Sequence, residues 1–240
     1  MGHPCLFCER QVKLSDEHIL PQWLLKSLGV HESQLGMTHH STVGLPVSRR
    51  GPLPFANFIN GRVCADCNNG WMSQLEADMK PQLEALMNLD LAALKGLESA
   101  RDSLTRWTLK TAAVLNHATN YRQLVPLDHF HALFASEIPD HVHVGLSFTE
   151  DEGPVRFRQS QHILALGDAQ VLAAALSSAY RVSFQFRHLL LRAVFLPVQD
   201  AWLEDDALYL WPQFGMPESF RLFEDIDDFD VSGVFTLAGP

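Results

Sequence analysis

Two CxxC pairs constrain this chain more than any other feature. Cys5 and Cys8 stand near the start, Cys64 and Cys67 follow after 55 intervening residues, and no cysteine is left over. Each pair supplies half of a tetrahedral thiolate site, so two of them can close around one zinc ion and pin together segments far apart in sequence. No N-terminal stretch combines a basic segment with an apolar run, so the chain is expected in the reducing cytoplasm, where thiolate ligands are favoured over disulfides. A redox dithiol is the weaker alternative, because that motif uses a single CxxC opening a helix.

The longest apolar run, "LLLRAVFLPV" at 189–198, is interrupted by Arg192 and is too short to span a bilayer, so no membrane association is expected. The net charge of −10 argues against nucleic-acid binding by the chain as a whole, but it is unevenly spread. Residues 1–80 hold seven basic and seven acidic side chains, whereas residues 204–230 hold nine acidic ones against Arg221 alone. The cysteine-bearing part is therefore locally neutral. The acidic run reads as a solvated face that could also meet a protein partner.

Periodicity places helices in the first half. "SDEHILPQWLLKSLG" suggests a short helix from Ser15 to a stop at Gly29, and residues 30–62 read as loop with one or two strands and an exposed basic loop at Arg49 and Arg50. A helix is expected from about Asn69 to Met79, with Pro81 opening another. "SLTRWTLKTAAVLNHA" predicts a further helix with Trp107, Thr111, Val114 and Leu115 on one face. Beyond residue 121 the period changes to two, in "HVHVGLSF", "VRFRQSQHILAL" and "YRVSFQFRHLLLRAVFLP", around a helix at 168–178. The expected class is α+β, with a boundary loop near 98–104.

Between the knuckles stands "SDEHILP", in which Glu17 precedes His18 and Pro21 follows; "CADCNN" places Asn68 and Asn69 directly after Cys67. A hairpin carrying Glu17 and His18, clamped by metal to a helix after Cys67, would bring these groups into one cleft. The order CxxC, acid-His-Ile-x-Pro, CxxC and polar residue resembles the HNH endonucleases of the ββα-metal fold, in the subset with two zinc knuckles; the resemblance covers about residues 5–79.

With that resemblance, residues 1–98 are expected to be an N-terminal zinc-stabilised HNH-like nuclease domain with following helices, while the change of period and the boundary near 98–104 make 99–240 an α+β accessory domain. It implies a structural zinc on Cys5, Cys8, Cys64 and Cys67 and a catalytic magnesium or manganese ion held by Glu17 and by Asn68 or Asn69. It makes His18 the general base, with a bracing asparagine at Asn60 or Asn57. An unperturbed histidine titrates near neutrality, which suits proton removal from an attacking water. DNA is the expected substrate, with Arg49, Arg50 and Arg62 as candidate phosphate contacts.

Glu17 and Asn68 depart from the Asp or His, and the His, of many members. A neutral amide and a longer carboxylate still offer hard oxygen donors. The competing reading is a zinc-stabilised adaptor in which Ser15 caps a helix through residues 15–18. A zinc hydrolase is weaker, since no His and carboxylate trio with an open zinc position is visible. His129, His131, His141 and His143 read as surface or strand positions.

Overall fold

The computed structural model describes residues 3–40, 46–119, 123–161 and 163–237; the side chains at 39, 40, 46–48 and 50 lie outside the described part. The stretch expected as a helix from Ser15 divides in two. Leu14–His18 is a strand, β1, and the helix α1 spans only Gln22–Ser27. Pro21 sits at the helix boundary, where its missing N–H is not needed. Gly29 closes α1 at φ +69, the left-handed conformation in which a side chain is strained.

β2 (Gln34–His40) and β3 (Pro46–Pro54) form an antiparallel pair, so Arg49 and Arg50, expected on a loop, lie on a strand. β4 (Ile59–Cys64) then returns to β1. Leu14 lies opposite Cys64 and Ser15 opposite Val63; after a bulge, Glu17 lies opposite Asn60 and His18 opposite Ile59. From β4 the chain enters α2 (Ala65–Cys67) without a loop, widens into a π-helical turn at Asn68–Met72, and continues as α3 (Ser73–Met87).

Pro81 does not open a second helix, as expected, but lies inside α3. It removes one backbone bond. Leu75, Met79, Leu83 and Leu86, buried on both sides of it, hold the helix against the core and offset that loss.

α4 (Leu97–Ala118) begins earlier than expected and takes in the supposed boundary loop at 98–104. α5 (Leu127–Phe134) leads into the long β5 (Val142–Ser160), which absorbs two of the expected strands, followed by β6 (Leu164–Leu166) and α6 (Ala169–Leu176). The remaining elements are β7 (Tyr180–Phe195), β8 (Ala201–Glu204), β9 (Leu208–Trp211), α7 (Ile226–Val231) and β10 (Val234–Leu237). They complete two three-stranded sheets, ordered β7-β5-β9 and β6-β10-β8. The chain is thus α+β.

One apolar core crosses the expected boundary, joining Phe7, Leu24 and Leu83 to Trp107, Phe148 and Phe186. A polar tie reinforces it. Arg187, at φ +51 where β7 passes the irregular register of β5, donates to the Ser27 carbonyl at 2.8 Å and to Asn88 Oδ1 at 2.6 Å. No helix among the described residues is long and apolar enough to cross a membrane.

Candidate functional site

The register of β1 against β4 brings the two cysteine pairs together. All four sulfur atoms lie within 4.8 Å of one another, with Cys5 Sγ 3.9 Å from Cys67 Sγ and Cys8 Sγ 3.6 Å from Cys64 Sγ. A tetrahedral zinc with Zn–S bonds of about 2.3 Å spaces its sulfurs by about 3.8 Å, so the donor set fits a structural zinc site.

The surroundings suit thiolates. The Cys64 amide donates to Cys5 Sγ at 3.3 Å, and Arg10 Nε donates to Cys8 Sγ at 3.4 Å while pairing with Asp66 at 3.0 Å. Burial alone would raise the Cys8 thiol, but the bonds from Arg10 outweigh it and bring it down to about 6. Burial pushes Cys64 and Cys67 up, and a bound cation would reverse that direction. Phe7, inside the first knuckle, meets Trp71 at 5.2 Å and Phe130 at 5.1 Å, both edge to face, so the clasp is bedded in the core.

Glu17 and His18 occupy the end of β1, and the cap reading of this stretch does not hold. Ser15 Oγ donates across the ladder to the Val63 carbonyl at 3.0 Å, within strand pairing. Glu17 is buried against α4, its Oε1 3.9 Å from Lys110 Nζ, while the same ammonium donates to Glu76 Oε1 at 2.6 Å. Burial, and then the charge of Glu76, push the Glu17 carboxyl up to about 7 against the pull of Lys110. Burial would lower the Lys110 ammonium, but the two carboxylates outweigh it and hold it above the ordinary lysine value. Half-buried His18 has Nε2 2.9 Å from Gln22 Nε2, and its Nδ1 is enclosed without a hydrogen-bond partner among the described residues.

Asn68 is half-buried and donates to Ser15 Oγ at 3.3 Å, two residues before Glu17 on β1. Asn69 is exposed. Of the two bracing candidates, Asn60 is the buried one. It donates to the Val114 carbonyl at 3.2 Å and accepts from the Arg62 amide at 2.9 Å, fixing β4 to α4, whereas Asn57 is exposed.

A catalytic cation at Glu17 and at Asn68 or Asn69 would have to compete with Lys110 for the Glu17 carboxylate. Burial holds the Glu17 proton up to near neutrality, and a bound cation would draw it down, as at the cysteines. Asn68 donates to Ser15 through its amide nitrogen, a bond that does not occupy the amide oxygen a hard cation would take. Among the described residues, the cysteines form the one group of three or more Cys, His or carboxylate side chains near enough to share an ion.

Two of the three candidate phosphate contacts can be located. Arg49 is exposed on β3, and the side chain of Arg50 lies outside the described residues, as do those of His39 and His40. Arg62 is half-buried, and its charge adds to burial in pulling His117 below the ordinary histidine value.

Lys110, Glu76 and Gln22 were not among the expected site residues. Lys110 lies three residues after Trp107 and four before Val114, on the buried stripe that periodicity already marked. Comparison of the chain with protein-family models, curated proteins and solved structures found no match.

Proposed function

We propose that this chain is an endonuclease that hydrolyses phosphodiester bonds of DNA, with a zinc ion on the four cysteines and His18 as the general base. The observation that carries the reading is the clasp itself. Glu17 and His18 end one strand of an antiparallel pair whose other strand passes directly into a helix through the second cysteine pair, and Asn68 of that helix start donates to Ser15 on the same strand as the histidine, which supports the reading. In the reaction, His18 takes a proton from a water whose oxygen bonds to phosphorus, the bond to the 3′ oxygen breaks, and the leaving oxygen is protonated from solvent. Gln22, now against His18 Nε2, must release that nitrogen for it to act as base.

A magnesium or manganese ion enters this reading only if Glu17 exchanges Lys110 for the ion. The assay therefore includes both metals and a chelator. Supercoiled plasmid is incubated with the wild type and with a His18→Ala variant that retains its zinc and its circular-dichroism spectrum. Nicking by the wild type and its loss in the variant support the proposal; equal nicking by both withdraws His18 from it.

A second reading, a zinc-stabilised binding protein without activity, draws on the burial of Glu17 against Lys110. It predicts no nicking with any metal.

A further inference from the structure

Between β8 and the segment that follows β9 lies a groove of about 740 Å³, within the range of sites that hold compact ligands. Its base is braced. The Tyr209 hydroxyl accepts from the Asp205 amide at 2.9 Å and donates to the Asp205 carbonyl at 2.8 Å. The buried Asp205 carboxylate is paired with the buried Arg192, so its charge is satisfied from within. The far wall is held by Gly215 and Tyr209, whose backbones exchange hydrogen bonds of 2.9 and 3.2 Å.

What this frame presents outward is different in kind. Trp202 is 57% exposed and Met216 65% exposed, with half-buried Phe214 between the walls. Large apolar side chains collected along a concavity are an interaction feature, whereas scattered ones are not. Glu204 and Glu218 lie among them, exposed, and neither has an ion-pair partner among the described residues. Glu204 and Glu218 give the groove's lining a negative charge that repels an anionic ligand.

We propose that this groove binds a basic peptide segment, in which an aromatic or aliphatic anchor rests against Trp202, Phe214 and Met216 while flanking lysines or arginines pair with Glu204 and Glu218. Trp202 offers a π-face to the same cations, and the braced walls let the peptide bind without ordering the groove first. The site is independent of the nuclease reading, since none of its residues belongs to the cysteine clasp or to β1.

The test is fluorescence anisotropy of a labelled peptide with one tryptophan between two Lys-Arg pairs, titrated with the full chain. Binding is expected to weaken by about tenfold or more with Trp202→Ala, with the Glu204→Gln/Glu218→Gln double variant, and with a peptide whose tryptophan is alanine. Asp228→Asn, an exposed acid outside the groove, is expected to leave it unchanged. The proposal is overturned if the wild type does not bind, or if Trp202→Ala binds as the wild type does. It is equally overturned if Asp228→Asn weakens binding as much as the double variant, because bulk charge would then account for the attraction.

Discussion

Lys110 is the residue on which the character of Glu17 turns, because its fully buried ammonium serves two carboxylates and stands nearer to Glu76. Removing one member of a buried ionic group leaves the others uncompensated, at a cost of about 3 kcal/mol. Lys110→Ala is therefore expected to lower the free energy of unfolding in urea by roughly that amount. Adding Glu17→Gln should recover part of it, since one of the stranded carboxylates is then neutral. Additive losses in the double variant would show that the two side chains are not coupled. The sequence marked Glu17 and His18 but not this partner. Lys110 is 93 residues from Glu17, and a lysine within a helical run reads as a solvated position unless its place on the apolar stripe is followed through.

At the scale of elements, the cysteine spacing was the most legible feature, and it foretold which segments meet. The local structure was harder to read. Residues 14–18 carry a helix-start pattern, yet they form a strand because β4 offers a ladder that a helix there would forfeit. The bound zinc is expected to fasten this hairpin to the helix that follows. Metal analysis should find one zinc per chain, reduced in Cys67→Ser. In that variant the amides of 59–79 should exchange with deuterium faster, while those of β7 keep their protection. Unchanged exchange across 59–79 would mean that the core, and not the metal, holds the hairpin and helix together.

For the whole molecule, the two halves expected from the change of period share one core, and the reason lies in β7. Its sequence "YRVSFQFRHLLLRAVF" reads as a strand with one wet face, but it is buried along most of its length because α3 and α4 pack on it together with α7. Its polar residues are met internally. Ser183 donates to Asp230 Oδ1 at 2.6 Å, Arg181 donates to the Asp230 carbonyl, and Arg192 pairs with Asp205. Two acids of the run expected to be a solvated face are thus buried partners of a distant strand, which pattern alone does not reveal.

Burial has a further consequence for the histidines, expected at surface or strand positions. His129 is buried beside Tyr180 and Phe195, and burial depresses both it and His143 from the usual 6.5 to about 4. Between these values each of these two histidines binds more protons in the unfolded chain than in the folded one. Their contribution to stability is therefore complete above pH 6.5 and is lost as pH falls toward 4, by up to about 3 kcal/mol for each histidine, whereas Glu17 acts in the opposite direction. Thermal melts over that pH range should show the decline, and His129→Gln should flatten part of it. A pH dependence identical in His129→Gln and the wild type would contradict the assignment.

The proposed role of His18, removing the proton from the attacking water, can be probed by chemical rescue. A His18→Gly variant that keeps its zinc is incubated with supercoiled plasmid and rising concentrations of free imidazole. The account predicts no nicking without imidazole and a rate that climbs with its concentration, while the wild type responds little. Nicking by the variant at the wild-type rate without imidazole would contradict it, as would failure of the wild type itself to cut with magnesium, manganese or neither.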